Sequence, residues 1–104
     1  MLTIHPELKE DLLLTYIGEL KRRIYAYNED IRGKGVYLKP VHFVYKRDGR
    51  KYVYVGRYWY VLRRRDGKLK WNYVGSEKPL SSLPDPPYIP RISLLCVGEN
   101  CEVL

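Results

Sequence analysis

The sequence predicts an α+β fold, an N-terminal helix packed on a twisted antiparallel sheet of three to five strands, with a proline-rich C-terminal segment. Three observations predict it. Apolar residues recur at helical spacing over the first part of the chain. Two Asp-Gly pairs, Asp48-Gly49 and Asp66-Gly67, punctuate a run rich in Tyr, Val and Trp between residues 36 and 75. Pro84, Pro86, Pro87 and Pro90 then forbid a helix interior or central strand within residues 79–90. The length of 104 residues predicts a single domain, able to bury roughly two-thirds of its unfolded surface.

The helix is expected from about residue 6 to residue 28. Pro6 suits the first helical position, and Glu7, Glu10 and Asp11 favour the positive end of the helix dipole. Leu8, Leu12, Tyr16, Leu20 and Ile24 recur every four residues, and Leu13, Ile17 and Tyr27 widen that stripe. Gly33 and Gly35 end the pattern. A small sheet needs a cover, so the stripe is expected to pack on it. Docking of a partner protein is the alternative use of the helix.

Three strands follow, at 36–47, 50–65 and 68–75, joined by two-residue turns of the primed type. Gly56 marks either a bulge in one long bent strand or a break into two. Alternation that stays in phase across it favours the bend. Such turns pair Arg65 with Lys68, Arg63 with Lys70, Leu62 with Trp71 and Tyr60 with Tyr73. They also pair Arg47 with Arg50, Tyr45 with Tyr52 and Phe43 with Tyr54. One face then collects Phe43, Tyr45, Tyr52, Tyr54, Tyr58, Tyr60, Leu62, Leu69, Trp71 and Tyr73. The other collects Val44, Val53, Val55, Trp59, Val61 and Val74 with His42 and many basic side chains. The helix can cover only one of these faces.

The last segment begins extended and polyproline-like. Residues 91–97 read as an apolar strand, Gly98-Glu99 as a turn, and 101–104 as a short return, which adds to the sheet, covers a core face or reaches a partner. The turn would set Cys96 opposite Cys101, within reach of a disulfide. Intracellular disulfides are rare outside hyperthermophiles, so bridge and free thiols both stay open. Eleven tyrosines, no glutamine and many Lys, Arg and Glu fit the hyperthermophile bias. Zinc needs four ligands, and His5 and His42 lie far from the cysteines in sequence, so no metal site is expected.

Charge is concentrated. The chain carries +7 overall, but residues 32–70 hold thirteen basic and two acidic side chains, a net of +11, and each flank nets −2. A segment like this is the electrostatic footprint of a polyanion binder. The candidate nucleic-acid contacts are Lys46, Arg47, Arg50, Lys51, Arg57, Trp59, Arg63, Arg64, Arg65, Lys68 and Lys70. Two arrangements are open. If the helix covers the tyrosines, a basic ribbon with its tip at 63–70 faces out and fits the major groove of duplex DNA. If the helix covers the valines, Tyr52, Tyr54, Tyr58, Tyr60 and Trp71 form a platform on which bases of single strands stack. Arg63 opposite Lys70 and Arg65 opposite Lys68 repel across strands, which an anionic partner would relieve.

The string from Gly56 through Arg57, Tyr58, Trp59, Tyr60, Arg63, Arg64, Arg65, Asp66, Gly67 and Lys68, with Tyr73 and Gly75 following, resembles the sheet of arm-type DNA-binding domains in tyrosine integrases. It is similar as well to short prokaryotic proteins with the same aromatic hairpin. The resemblance spans 56–75. It implies DNA binding by a three-stranded sheet.

No Gly-x-Ser-x-Gly, phosphate loop or His-Glu-x-x-His is present, and the acids of the basic segment, Asp48 and Asp66, belong to turns. A non-enzymatic, cytoplasmic nucleic-acid-binding protein is therefore expected, with duplex DNA slightly favoured. Neither a small-molecule cofactor nor a membrane is expected. An accessory RNA-binding protein of a ribosome or other ribonucleoprotein is the first alternative. A protein–protein interaction module using the helix or the C-terminal tail is the second.

Overall fold

The computed structural model describes residues 7–104, with side chains from Glu10 onward. Helix α1 (Glu10–Asp30) packs on an antiparallel sheet of β1 (Glu7–Lys9), β2 (Val36–Tyr45), β3 (Arg50–Arg65), β4 (Lys68–Gly75), β5 (Ile92–Val97) and β6 (Asn100–Val103). The spatial order is β1-β6-β5-β3-β2, with β4 also paired to β3. This is the expected α+β class, with the short β1 added at one edge. No helix among the described residues is long and apolar enough to cross a membrane.

The helix begins later than expected. Residues Glu7–Lys9 pair with β6, Leu8 opposite Cys101, and the Glu10 N–H donates to Glu99 O at 2.9 Å. Pro6 lies outside the described residues. Glu10 and Asp11 still occupy the first turn, where the helix dipole favours them. The buried stripe is Leu13, Ile17, Leu20, Ile24, Tyr27 and Ile31: Leu20, Ile24 and the three widening residues are buried as expected, but the repeat fails at Leu12 and Tyr16. Leu12 is 65% exposed and Tyr16 36%. Each step of four residues overshoots a full helical turn by about 40°, so a repeat of fours drifts off the sheet while alternating fours and threes stay on it.

The helix covers the valine face. Val53, Val55 and Trp59 of β3, Leu38 and Val41 of β2, and Leu94 of β5 are buried in one cluster with the helix stripe. The proline-rich stretch forms no regular structure but buries Leu83 and Ile89 in the same core. Tyr27 donates its hydroxyl to Pro84 O at 2.6 Å, fixing that stretch to the helix. Cys96 and Cys101 stand directly opposite across β5 and β6 and are joined by a disulfide.

The β3–β4 register is the expected one: Tyr60, Leu62, Arg63 and Arg65 oppose Tyr73, Trp71, Lys70 and Lys68. The β2–β3 register differs by one residue. Lys46 N–H donates to Arg50 O at 2.8 Å, so the connection is the three residues 47–49. A two-residue turn of this type needs positive φ at both central positions. Asp66 and Gly67 supply it at 53° and 76°; at the other turn Gly49 does at 91°, but Asp48 does not. The slip places Phe43 opposite Val53 and Tyr45 opposite Lys51 on the inner side, and brings His42 and Val44 to the tyrosine side. A second irregularity sets Gly56 and Arg57 against Pro40 alone, after which Lys39 opposes Tyr58 and Tyr37 opposes Tyr60. β3 runs unbroken through Gly56.

The outer edge of β2 is held by one side chain. Asn28 donates its amide to Leu38 O at 2.8 Å and accepts from Leu38 N–H at 2.9 Å. An open strand edge is thereby blunted by the helix that covers the sheet.

Candidate functional site

Period-two alternation places Tyr52, Tyr54, Tyr58 and Tyr60 on the face of β3 opposite the helix. Tyr37 and His42 of β2 and Trp71 and Tyr73 of β4 join them by register. The eight rings form one unbroken series. Tyr52 stacks on Tyr54 at 6.3 Å, Tyr54 lies 6.5 Å from His42, and His42 lies 6.0 Å from Tyr58. Tyr58 contacts Tyr73 at 6.1 Å, and Tyr73 contacts Tyr60 at 5.8 Å. Tyr60 stacks on Tyr37 at 4.9 Å, and Trp71 meets Tyr37 edge-on at 4.7 Å. Trp71 and Tyr73 are 47% and 56% exposed. The rest are half-buried or, in the case of His42, exposed. From Tyr52 to Tyr60 the series spans ~26 Å of strand.

Burial pushes the Tyr58 and Tyr37 hydroxyls above their ordinary range; neighbouring Tyr73 and Tyr60, respectively, act in the same direction. Both phenols are thus neutral hydrogen-bond donors at physiological pH.

Basic side chains lie at both ends of the series. At one end the β3–β4 turn carries Arg63, Arg64, Arg65, Lys68 and Lys70, all exposed. At the other, the β2–β3 turn carries Lys46, Arg47 and Arg50, with Lys46 Nζ 6.0 Å from the Tyr52 ring. Arg50 pairs with Asp48 at 2.7 Å. That contact, led by the Arg50 N–H, holds the Asp48 carboxyl below its usual range. No ion pair forms at Lys46, Arg47, Arg57, Arg63, Arg64, Arg65, Lys68 or Lys70 among the described residues.

The expected contact residues therefore divide. The two turns bring most of them to the ends of the ring series. Arg57 stands apart, at the side of β3. Lys51 is largely buried and pairs with Glu10 at 2.7 Å, so it ties the helix start to the sheet. Trp59 is not a contact residue: it is 0% exposed, at the centre of the core beside Tyr27. Its place among the basic residues presumes that the helix covers the tyrosines; the helix covers Trp59 instead. Tyr52, Tyr54, Tyr58, Tyr60 and Trp71, the platform of the second arrangement, lie together on the open face, and the alternation of Tyr with Val or Trp at 52–55 and 58–61 is their signal. Tyr37 and His42 carry no comparable signal, because two register shifts decide where they point.

No family model, no curated protein and no solved structure matches this chain.

Proposed function

We propose that this chain is a binding protein for single-stranded nucleic acid, RNA or DNA, whose bases stack on the outer ring series while the basic turns hold the phosphate backbone. The observation that carries the reading is an eight-ring series on a sheet face left open by the helix, bounded at both ends by basic residues of which Arg50 alone has an acidic partner among the described residues. Every base has a stackable face, and each stack contributes about 1–3 kcal/mol without sequence preference. A tyrosine ladder can also serve the sheet alone. It gives no reason, however, for Arg63 opposite Lys70 and Arg65 opposite Lys68, where like charges repel. The open rings shift the balance from duplex DNA to single strands, since a duplex keeps its base faces inside. The reading places the protein in the cytoplasm, with an internal disulfide of the kind hyperthermophiles keep there.

The test is binding of labelled single-stranded DNA, single-stranded RNA and duplex DNA across a salt series. Wild type is compared with Tyr60→Ala/Trp71→Ala and with a variant carrying Ala at Arg63, Arg65, Lys68 and Lys70. Single strands should bind best. The ring variant should weaken them by roughly tenfold or more at every salt. The basic variant should flatten the salt dependence by about 0.7 for each phosphate it no longer neutralises. Duplex preference, abolished only in the basic variant, would move the site to the turn at 66–67.

A further inference from the structure

β4 and β5 share one edge of β3 and leave a gap between them. β5 pairing stops at Val55, and β4 pairing starts at Trp59. Over Gly56–Tyr58 this edge of β3 has no strand partner. A pocket of about 160 Å³ lies at the gap, lined by Gly56, Arg57, Tyr58, Tyr73, Ser76, Ile89 and Arg91. Two arginines from distant parts of the chain thus line one pocket with Tyr58, Tyr73 and Ser76. Neither arginine has an ion-pair partner among the described residues. Asp85, which lines the adjoining clefts with Arg57, is engaged by Lys78 at 2.8 Å. The pocket shares Tyr58 and Tyr73 with the ring series.

We propose that this gap is a phosphate subsite, in which Arg57 and Arg91 hold one phosphate of a strand whose neighbouring base lies on Tyr58 and Tyr73. Planar guanidinium forks match the two non-bridging oxygens of a phosphodiester, and the Tyr58, Tyr73 and Ser76 hydroxyls would donate to the lone pairs those forks leave free. Arg91 and Tyr58 line the same pocket, where burial raises the Tyr58 hydroxyl, the Arg91 charge partly offsets that rise, and the phenol stays a neutral donor. The inference rests on the stacking reading for the nucleotide and on the pocket alone for the phosphate. The subsite would fix where the backbone leaves the ring series, which stacking cannot do.

The experiment follows backbone amide resonances of the full chain during titration with inorganic phosphate, and in parallel measures oligonucleotide binding. The variants are Arg57→Gln/Arg91→Gln and, outside the pocket, Tyr60→Ala/Trp71→Ala. Phosphate should shift Gly56, Tyr58 and Ser76 in wild type and in the ring variant, but not in the arginine variant. The arginine variant should bind single strands roughly tenfold more weakly, with a salt slope reduced by about 0.7. Unchanged phosphate shifts in the arginine variant, or shifts spread evenly over all basic residues, overturn the subsite. Oligonucleotide binding that is unaltered in the arginine variant also overturns it, while leaving the stacking reading intact. Phosphate held at the gap with no oligonucleotide binding overturns the stacking reading instead, and assigns the gap to a free phosphate compound.

Discussion

The two faces of β3 share one backbone and differ in what their side chains require. Toward the helix, Val53, Val55 and Trp59 are at most 2% exposed, while on the other side Tyr52, Tyr54, Tyr58 and Tyr60 keep partial contact with water. Both faces are rich in apolar surface, so the hydrophobic effect alone does not choose between them. The hydroxyls do. Tyr27, which is buried, donates its hydroxyl to Pro84 O. An inner face built from four tyrosines would bury four hydroxyls, each needing an acceptor that the apolar helix stripe does not offer. Valines make no such demand, so the inner face leaves only the Trp59 indole N–H without a partner among the described residues, and the face with the hydroxyls stays open.

The contrast can be broken first with Trp59→Ala. It removes the largest fully buried side chain and should cost about 3–5 kcal/mol in denaturant unfolding. Tyr60→Ala, one residue along on the other face, should cost about 1 kcal/mol. Equal costs would mean that the outer rings are core in all but name. A smaller effect is expected at the edge of the covered side. Asn28→Ala leaves both backbone groups of Leu38 without their partner and should cost about 1–2 kcal/mol. Faster hydrogen exchange at the Leu38 amide would localise the effect; an unchanged rate there would contradict the edge role. The smallest effect sharpens the outer face. The folded-state pKa values of Tyr37 and Tyr58 are raised, chiefly by burial. Their stabilising effect is therefore complete below the free-tyrosine value of about 10 and disappears as pH rises through the folded values. Ultraviolet phenolate titration should show these rings ionising after free tyrosine, with stability declining over the same range. Titration of every ring at the free value would contradict it.

Local chemistry makes much of this architecture legible. Asp66-Gly67, with positive φ at both residues, fixes the β3–β4 register and the facing basic pairs. The spacing of Cys96 and Cys101 around Gly98 anticipates their opposition. Asp48-Gly49 looks identical in sequence but forms a longer loop, and that single residue moves Phe43 inward and His42 outward. Which face the helix covers is not legible, because both faces alternate correctly. Trp59 is accordingly read on the right face of the strand but as a contact residue, whereas the helix buries that face. The gap beside Gly56 is invisible for another reason: it depends on β4 and β5 meeting the same edge of β3 from distant parts of the chain.

The most direct test of the open ring face uses the two tryptophans, since Trp71 lies on that face at 47% exposure and Trp59 lies in the core at 0%. Tryptophan emission is followed while oligothymidylate or oligouridylate is added at low salt. The stacking account predicts saturable quenching that disappears in Trp71→Phe, where Trp59 emission stays constant and the strand still binds. Binding that leaves Trp71 emission unchanged, or quenching that persists undiminished in Trp71→Phe, would contradict it.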